Sequence, residues 1–497
     1  MTVRISNGKR ALVIGCGASG LAAATYFDSR GWAVTVVDSR ENPAGADTLR
    51  KTLPRVRFSG GALPAHLADD ADIVMISPGL SPHNAPACEL VARAKARGVE
   101  VVGEIELFAR ELRRLRSYRN YHPKIVGITG TNGKTTTTTI VGLMVQEAGL
   151  SVCVAGNIGP NALTELEKHL QANTLPDVWV LELSSFQLET TSSLHCDAAA
   201  FLNLTQDHVD WHGSMAGYES AKRRIFSDTT VRVLNRDDAA TMRAACEGSI
   251  CTSFGQDAPT IPGTWGVVEE GGMRWLSMMP QAEPAVGKKA ILAAEPPQLK
   301  LLMPAGALKI RGRHNAMNAL AALALATAVG VPLAKALAVL TVYRGEAHRV
   351  QFVLETKGIE FIDDSKGTNV GATVAALEGL GADGRRSSII LGGDGKGQDF
   401  APIAQAIAKY ACHVVLIGRD APLIAEALKN ISVEIELAGT DFEKAVDMAY
   451  SAAKPGDVVL LSPACARWDM FANYAERSAR FVARARCIAA DNGSIVP

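Results

Sequence analysis

The stretch with the clearest chemistry lies at residues 125–139, IVGITGTNGKTTTTT. An apolar strand is predicted over 125–128, a glycine-rich turn follows, and apolar residues then recur at helical spacing. In such a strand–turn–helix, backbone N–H groups and the helix N-terminus can bind a polyphosphate, a lysine can reach its outer oxygens, and a threonine hydroxyl can coordinate Mg²⁺. The residues predicted to bind phosphate are Gly130, Thr131, Asn132, Gly133, Lys134, Thr135 and Thr136.

This loop departs from the strict phosphate-loop pattern, which places a glycine where Ile128 stands. The nearest glycines are Gly127 and Gly130. The simplest alternative is a threonine-rich helix cap after an ordinary turn. Capping alone does not explain a lysine between a glycine and two threonines at a strand–helix junction. We therefore predict a protein that uses ATP through an unusual loop.

A second nucleotide-binding pattern lies near the N-terminus. A predicted strand enters GCGASG (15–20), a helix follows, and a second strand ends at Asp38. This is a complete dinucleotide-binding fingerprint, which alone would predict an NAD-dependent oxidoreductase, although its glycines could serve close packing only. A third strand, 73–76, ends in Ser77-Pro78-Gly79 at the same predicted sheet edge, where ligands bind in such folds.

Polar side chains follow further predicted strands in the middle of the chain. Glu182 ends the strand of VWVLELSSFQLE (178–189), and an acid beside a phosphate loop is a common Mg²⁺ ligand. The segment 201–212 offers a cluster that could bind a metal or a carboxylate substrate, or could be a plain polar loop: Asp207, His208, Asp210 and His212. From its helical context, Lys222 is predicted to be an ordinary surface lysine.

The last third of the chain, from about Tyr343, again alternates strands and helices. Its predicted strand-end loops are 363–366, 393–396 and 462–463, and they carry lysine, aspartate and serine. We expect them to form one edge that faces a ligand, the alternative being ordinary turns that use Gly and Asp for their geometry. His314, Asn315 and Asn318 begin a buried helix before this part, where Asn315 could contact a ligand or act as a cap.

Composition limits the possible classes of protein. The chain has 497 residues, enough for three domains, with 51 Lys+Arg against 51 Asp+Glu, so no net charge attracts nucleic acid or an anionic membrane. Nine cysteines without a CxxC pair indicate reduced, intracellular thiols. No signal peptide is predicted, and the charge-free run 316–334 predicts two core helices rather than a membrane span. Residues 256–300 are predicted to be a hairpin and loop insertion.

The motifs together resemble the Mur ligases over the whole chain. GTNGKTT (130–136) marks the wider group, which includes folylpolyglutamate synthases, and the motifs typical of the branch that adds D-glutamate are ELSSFQLE (182–189), DDSKGTN (363–369), GGDGKGQDF (392–400) and SPACA (462–466). The resemblance implies a cytoplasmic, monomeric, ATP-dependent amide ligase. It would join D-glutamate to UDP-N-acetylmuramoyl-L-alanine through an acyl phosphate in peptidoglycan precursor synthesis.

The resemblance also implies a fold of three α/β domains. They are a Rossmann-like UDP-binding domain at 1–120, a central phosphate-loop domain with a parallel sheet at 121–343, and a Rossmann-like domain at 344–497 that closes over ATP and the amino acid. Closure requires a hinge, which we expect near Arg344-Gly345.

Individual roles follow from the resemblance, position by position. The UDP substrate would contact Ala18, Ser19, Ser39, Arg40, Ser77, Pro78, Gly79, Asn157 and His208. Besides the phosphate loop, ATP would contact Asn315, Asn318, Arg349 and Asp364. D-Glutamate would contact Thr368, Lys396, Ser462 and Tyr474, in a space also shaped by His348 and Lys366. Two Mg²⁺ ions would be bound by Thr135, Glu182, His208 and a Lys222 carbamylated with CO₂. The catalytic residues would be Lys134, His208, Lys222 and Arg349.

Three alternatives remain open at this point. An NAD-dependent oxidoreductase would leave the phosphate loop unexplained. A transport ATPase or a non-catalytic nucleotide-gated partner would leave the motifs of the last third unexplained. A folate polyglutamylase shares the phosphate loop but does not account for the nucleotide-binding pattern at the N-terminus.

Overall fold

The computed structural model describes residues 8–281, 297–310, 312–381, 384–395, 398–465 and 470–494. These residues form three α/β domains in chain order, each around its own sheet, which confirms the predicted fold class. Lys396, which was predicted to contact D-glutamate, lies outside the described residues, as does the middle of the predicted 256–300 insertion.

The first domain contains five parallel strands in the order β3-β2-β1-β4-β5. They are β1 (Arg10–Ile14), β2 (Ala33–Asp38), β3 (Arg57–Gly60), β4 (Ile73–Ile76) and β5 (Glu100–Val102). Its helices are Ala18–Ser29, Gly45–Thr52, Cys88–Ala96 and Glu104–Arg119, with a 3₁₀ turn at Ala65–Ala68. Strand order reverses between β1 and β4, so the turns that follow these two strands meet at one carboxyl edge, the usual place for a ligand.

Among its described residues, the central domain contains nine strands in the order β14-β13-β12-β11-β10-β9-β6-β8-β7. They are β6 (Lys124–Thr129), β7 (Val152–Gly156), β8 (Val178–Glu182), β9 (Ala198–Phe201), β10 (Val231–Asn235), β11 (Cys251–Phe254), β12 (Trp265–Glu270), β13 (Met273–Met278) and β14 (Lys300–Pro304). Strands β6 to β12 are parallel, while β13 and β14 add an antiparallel extension. The hairpin predicted within 256–300 is therefore confirmed as β12–β13.

The helices of the central domain cover the sheet and carry the loops of the site. They are Lys134–Glu147, Ala162–Ala172, Ser185–Glu189, Val209–His212, Met215–Arg223, Ala239–Met242, Arg313–Ala328 and Leu333–Val342, with a 3₁₀ turn at Ala305–Ala307. The charge-free run 316–334 falls in the last two helices, and residues 316–326 are buried on every side of their helix, as predicted for a core helix. None of the helices in the described ranges has both the length and the apolar composition needed to cross a membrane.

In the part of the third domain that the structure describes, six strands lie in the order β15-β16-β20-β17-β18-β19. They are β15 (Gln351–Thr356), β16 (Ile359–Asp363), β17 (Ser387–Gly392), β18 (Ala411–Ile417), β19 (Glu434–Gly439) and β20 (Val458–Leu461). The helices are Val370–Gly381, Ala401–Tyr410, Ala421–Leu428, Phe442–Ala452 and Tyr474–Asp491. All neighbours except β15 and β16 pair in parallel, so the predicted ligand-facing loops after β16, β17 and β20 lie at one edge.

Helix Glu104–Arg119 joins the first domain to the central one through buried carboxylates. Glu104 Oε1 accepts a 2.7 Å hydrogen bond from the backbone N–H of Leu163. Glu106 Oε2 accepts from the N–H groups of Ser192 and Ser193 at 2.8 and 2.9 Å. The first domain is thus anchored to the central domain by main-chain hydrogen bonds at fixed positions.

Glu104→Gln is expected to stabilise the protein above neutral pH. Burial raises the pKa of Glu104 to about 7, so from about pH 4.5 to 7 the folded state keeps a proton that the unfolded chain has released. Stability therefore falls as pH rises through this range. Glutamine retains the acceptor for Leu163, so the free energy of unfolding should rise by up to about 3 kcal/mol at pH 8 and stay unchanged at pH 4. Unfolding by urea at both pH values measures this.

Glu106→Gln is the matched control, and its expected effect on the free energy of unfolding at pH 8 is opposite to that of Glu104→Gln. Burial raises the pKa of Glu106, but hydrogen bonds from Ser192 and Arg110 outweigh burial and hold that pKa below its ordinary value. Its ionised form therefore stabilises the fold at pH 8, and the amide should lower the free energy of unfolding there. An equal effect of the two variants at pH 8 would contradict the assignment of the proton to Glu104.

Candidate active site

The phosphate loop, residues 130–133, connects β6 to helix Lys134–Glu147. Ile128 is fully buried and pairs with Ala200 of β9, so the strand continues through the position where the strict pattern has a glycine. The loop therefore needs only four residues. Gly133 has φ +80°, and a Cβ atom there would lie 2.3 Å from Asn318 Oδ1, so no larger residue fits at the start of the helix.

Asn203, just past β9, fixes the conformation of this loop. Its carbonyl accepts from the N–H of Thr131 at 3.0 Å, and its Oδ1 accepts from the N–H of Asn132 at 2.8 Å. Its Nδ2 donates back to the carbonyl of Asn132 at 3.1 Å. The sequence interpretation did not select Asn203, although its place beyond the end of a predicted strand was the available signal.

Lys134 lies beneath the loop. Its Nζ donates to the carbonyls of Gly130 and Thr131, both at 2.8 Å, and burial lowers its pKa. Glu182 ends β8 beside β6, and its Oε1 accepts from Asn157 Nδ2 at 2.7 Å. Glu182 Oε2 is buried and has no hydrogen-bond partner among the described residues. An unpartnered buried carboxylate oxygen fits a hard cation such as Mg²⁺.

The prediction that Lys222 is a surface lysine is wrong. Helix Met215–Arg223 turns Tyr218, Ala221 and Lys222 inward, and Lys222 is 1% exposed. Its Nζ donates to the carbonyl of Gly130 at 2.8 Å and lies 4.5 Å from the ring centroid of Tyr218. Burial, and then the charge of Lys134, hold the pKa of Lys222 well below its ordinary value. Burial therefore favours the neutral amine form of this side chain over its charged form.

His208 stands near Lys222 in a left-handed backbone conformation, with φ +54°. Its Nε2 lies 3.4 Å from Asp207 Oδ2, and its ring is 4.6 Å from the ring of Phe186. His212 bonds Ser185 Oγ at 2.9 Å, and burial lowers the pKa of His212 to about 4. Of these two histidines, only His208 lines the smaller cavity described below.

The third domain reaches across to the phosphate loop through two side chains. Arg349 Nη2 donates to Thr135 Oγ1 at 3.0 Å, and Arg349 Nε is buried without a partner among the described residues. Asn369 Nδ2 lies 3.3 Å from Asn132 Oδ1 and 3.4 Å from Asp207 Oδ2. These contacts hold the third domain closed against the loop.

Two adjoining cavities occupy this junction. The smaller, about 180 Å³, is lined by Thr131, Asn132, Gly133, Lys134, Asn157, Ser184, Ser185, Phe186, Asp207, His208, Tyr218, Lys222, Arg349, Lys366, Thr368 and Asn369. The larger, about 1070 Å³, shares Asn132, Gly133 and Arg349 with it. The larger cavity also brings together the predicted ATP contacts Thr136, Asn315, Asn318 and Asp364. Its volume suits a nucleoside, whereas the smaller cavity suits the reacting groups.

Asp364 and Ser462 form a buried pair at the ends of β16 and β20. Ser462 Oγ donates to Asp364 Oδ2 at 2.7 Å, and burial raises the pKa of Asp364 to about 7. Ser462 is fully buried, so the structure places this predicted D-glutamate contact behind Asp364. Its second side-chain contact is Thr373 Oγ1 at 3.0 Å.

The other predicted D-glutamate contacts are nearer the smaller cavity. Thr368 and Lys366 line it, and Lys366 Nζ lies 5.1 Å from the ring centroid of Tyr474. His348 Nδ1 lies 3.0 Å from Asp363 Oδ2 and 2.7 Å from Ser478 Oγ. These two contacts hold the His348 ring against the end of β16 and the helix Tyr474–Asp491.

The predicted UDP contacts of the first domain gather at its carboxyl edge. Ala18 and Ser19 open the first helix, Ser39 and Arg40 follow β2, and Ser77 to Gly79 follow β4. A Cβ atom at Gly20 would lie 1.8 Å from the carbonyl oxygen of Gly15, so this glycine is required for close packing.

Asp38 does not point out to a ligand as an NAD-binding acid would. Its Oδ2 accepts from the N–H of Cys16 at 2.8 Å, and Arg40 Nε and Nη2 donate to its two oxygens, each at 2.8 Å. Arg40 lowers the pKa of Asp38 to about 2. The acid of the fingerprint is thus bonded to its own loop.

The turn after β4 also reaches the central domain. Ser81 Oγ donates to the carbonyl of Trp211 at 3.1 Å, and Asn84 Nδ2 donates to that of Asp210 at 2.9 Å. Both acceptors lie in the segment that follows His208. The ligand edge of the first domain is therefore joined directly to one wall of the smaller cavity.

The fold and the site together define a class, the three-domain ligases that use ATP through a phosphate loop. Family models match along the chain: a Mur ligase MurD-like N-terminal domain at residues 9–103, a Mur ligase middle domain at 128–326, and a Mur ligase glutamate ligase domain at 348–465. The chain belongs to the Mur ligase family.

Similar proteins span almost the whole chain. The UDP-N-acetylmuramoylalanine--D-glutamate ligase of Ralstonia nicotianae is 52% identical over 490 residues, covering 97% of each chain. The enzyme of the same name from Burkholderia pseudomallei is 49% identical over 498 residues, covering 97% of this chain and 98% of its own.

Solved structures share the fold at lower identity. UDP-N-acetylmuramate-alanine ligase MurC of Thermotoga maritima superposes with a TM-score of 0.55 at 22% identity, covering 97% of this chain and 99% of that one. MurF ligase of the same organism, solved with ADP, gives 0.58 at 16% identity, covering 92% and 95%.

Proposed function

We propose that this protein joins D-glutamate to UDP-N-acetylmuramoyl-L-alanine with cleavage of ATP to ADP and phosphate, in the cytoplasmic synthesis of peptidoglycan precursors. One observation carries the proposal. The smaller cavity brings together the phosphate loop, the Asp207–His208 pair, and three side chains of the third domain, Arg349, Lys366 and Thr368. The relatives of the same length carry the same activity in their names.

The first step is phosphoryl transfer. A carboxylate oxygen of the UDP substrate attacks the γ-phosphorus of ATP, the bond to the β-phosphate oxygen breaks, and an acyl phosphate and ADP result. Lys134 and Arg349 supply positive charge to the oxygens of the transferring group, one from the loop and one from the third domain. Arg349 Nε, buried without a partner among the described residues, is suited to such an oxygen.

The second step forms the amide. The free amine of D-glutamate attacks the acyl carbon, phosphate leaves with the electrons of its bond to that carbon, and the nitrogen releases one proton to the departing phosphate or to water. Thr368, Lys366 and Tyr474 provide a hydroxyl, an ammonium and an aromatic face for the incoming amino acid. Lys396 and Ser462 remain predicted contacts of D-glutamate. Because Ser462 Oγ donates to Asp364 Oδ2, Ser462 would act by positioning Asp364.

The donor set also supports two Mg²⁺ ions. Thr135 and Glu182 would hold one, because Glu182 Oε2 has no partner among the described residues. His208 and Lys222 would hold the other once Lys222 carries a carbamate. Bound Mg²⁺ would supply charge neutralisation at the phosphoryl and carbonyl oxygens.

Lys222 has the surroundings that carbamylation requires. The neutral form of its amine, which burial favours, can add to CO₂, forming an N–C bond and releasing one proton. The product is a carbamate, whose anionic oxygens can bind a metal ion. Protonated lysine has no free electron pair for this addition. Carbamylation would give the burial of Lys222 a functional reason, and that burial supports the proposal.

The proposal treats 1–120, 121–343 and 344–497 as the UDP-binding, ATP-binding and closing domains of a monomer. Arg344-Gly345 serves as the hinge, consistent with φ +91° at Gly345, which spares the backbone strain that a side chain would add. Asn315, Asn318 and Asp364 hold the nucleoside in the larger cavity. Ala18, Ser19, Ser39, Arg40, Ser77, Pro78, Gly79 and Asn157 hold the UDP substrate.

Phosphate release from ATP tests the proposal. The reaction is run with UDP-N-acetylmuramoyl-L-alanine and D-glutamate, then with L-glutamate, with no amino acid, and without the UDP substrate. We expect sustained release only when the UDP substrate and D-glutamate are both present. Release independent of the UDP substrate would overturn the proposal, and an equal rate with L-glutamate would overturn the assigned acceptor.

A further inference from the structure

We propose that Cys153, Glu165 and His169 form a binding site for a thiophilic divalent cation, with Zn²⁺ as the best chemical match. One possible ligand atom of each residue lies within 4.8 Å of the other two. In the part of the chain that the structure describes, no other group of three His, Cys, Asp or Glu residues has this spacing. None of the three lines the smaller or the larger cavity of the candidate active site.

Two regular elements hold the three side chains. Cys153 lies on β7, the strand at one edge of the central sheet. Glu165 and His169 lie one helical turn apart on helix Ala162–Ala172, so they project from the same face. The helix start is fixed by the side chain of Asn161, which accepts from the N–H of Thr164 at 3.0 Å. A site on a strand and a capped helix keeps its spacing better than a site on loops.

The donor types select the class of ion. Thiolate, imidazole and carboxylate are the three kinds of side-chain group that bind Zn²⁺ in proteins. Zn²⁺ usually takes four ligands in a tetrahedron, so these three side chains would leave the fourth position for water. Mg²⁺ and Ca²⁺ prefer oxygen ligands throughout, so a sulfur and a nitrogen disfavour them. The site is therefore different in kind from the oxygen-rich position beside Glu182.

The contacts around the ligands agree with this assignment. His169 Nδ1 lies 3.0 Å from Thr174 Oγ1, and metal-binding histidines are normally oriented by such a bond through the nitrogen that does not bind the metal. That arrangement leaves Nε2 for the ion. Lys168 Nζ lies 2.7 Å from Glu165 Oε1, which holds one oxygen and leaves Oε2 for the ion.

The thiol adds a pH dependence. Burial raises the pKa of Cys153 to about 12, so at neutral pH the group is a thiol, and binding replaces its proton: the S–H bond breaks, an S–metal bond forms and H⁺ is released.

An occupied site would tie helix Ala162–Ala172 to β7. The same helix contacts the first domain at two points. The N–H of Leu163 donates to Glu104, and Glu167 Oε1 lies 2.8 Å from Arg30 Nη2. The ion would thus brace the surface on which the first domain rests. We expect one equivalent of Zn²⁺ to raise the temperature of thermal unfolding.

Cobalt titration of the chelator-stripped, full-length protein tests the site, because thiolate–Co²⁺ coordination gives a near-ultraviolet charge-transfer band that oxygen and nitrogen ligands do not give. The wild type should show this band and saturate at one equivalent. Cys153→Ser should abolish the band, and His169→Ala should weaken binding at least tenfold. Cys487→Ser, which removes an exposed cysteine of the last helix, is the control and should change nothing.

The outcomes separate clearly. A band that survives in Cys153→Ser, or a wild type with no band, overturns the proposal. Saturation only at millimolar Co²⁺ would mean an adventitious ion only. If Cys153→Ser fails to fold, His169→Ala and the Zn²⁺-dependent rise in unfolding temperature decide, because a merely structural His169 would leave that rise intact.

Discussion

Lys222→Ala is expected to lower kcat by roughly a thousandfold, about 4 kcal/mol of activation free energy. The side chain is 1% exposed beside the loop, and burial holds its pKa well below the ordinary value. Under the proposed function the amine becomes a carbamate that helps to bind Mg²⁺, and alanine removes that ligand. Steady-state phosphate release with both substrates measures the loss.

Arg223→Ala is the matched control for Lys222, because Arg223 follows it on the same helix but is exposed. It should retain nearly full activity. Short carboxylic acids such as acetate should restore part of the activity of Lys222→Ala, and Lys222→Arg should remain inactive. Wild-type activity should fall in CO₂-depleted buffer and return with bicarbonate. A Lys222→Arg variant as active as the wild type would exclude the carbamate.

Lys134→Ala is expected to lower kcat by a similar factor, about 10³, because it removes the loop's own positive charge from the transferring phosphoryl group. In the present structure Nζ donates to two carbonyls of the loop, and Lys134 lines the smaller cavity. Initial rates at saturating ATP and direct binding of the UDP substrate should be measured together.

Binding of the UDP substrate separates a chemical role of Lys134 from general damage. Its affinity should stay within about twofold of the wild type in Lys134→Ala, since under the proposed function the first domain and Asn157 make the contacts to the UDP substrate. Lys335→Ala is the control, because Lys335 is an exposed lysine of the same domain that bonds Glu147 at 3.1 Å. Unchanged turnover in Lys134→Ala would mean that this lysine does not act on the phosphate.

Local patterns were sufficient for the phosphate loop and for the N-terminal fingerprint. In both, strand, turn and helix are adjacent in sequence, so the spacing of glycines, lysine and apolar residues reports the geometry directly. Even the apparent defect at Ile128 has a local cause, since the strand simply runs on to Thr129 before the turn begins.

Contacts between distant segments could not be predicted in this way. The sequence predicts Lys222 at the surface because lysine side chains are rarely buried, although Tyr218 and Ala221 on the same side of its helix are buried. Asn203 bonds the loop across 71 positions of sequence, and Asn369 does so across 237. No spacing rule connects residues so far apart; only the order of strands in each sheet and the closure of the third domain bring them together.

Neither the spacing of residues in the sequence nor the geometry of the side chains is enough by itself to assign a residue to a metal or a substrate. The role of Lys222 is an implication of the resemblance to Mur ligases, and what the structure adds is that its side chain is buried beside the phosphate loop. Ser462 illustrates the reverse, because its motif predicted a contact with substrate while its hydroxyl is bonded to Asp364 inside the domain.

The position of β20 has a consequence for how the protein is made. This strand, Val458–Leu461, is the last in sequence, yet it lies between β16 and β17 at the middle of the third sheet. During synthesis on the ribosome, about a hundred residues are added after β16 and the Asp363–Asp364 loop before β20, the strand that pairs with β16, is made. The first two domains can complete their sheets during synthesis, whereas the third cannot. A chain that ends before residue 458 would therefore keep the phosphate loop, but its third domain would lack the strand that joins β16 to β17.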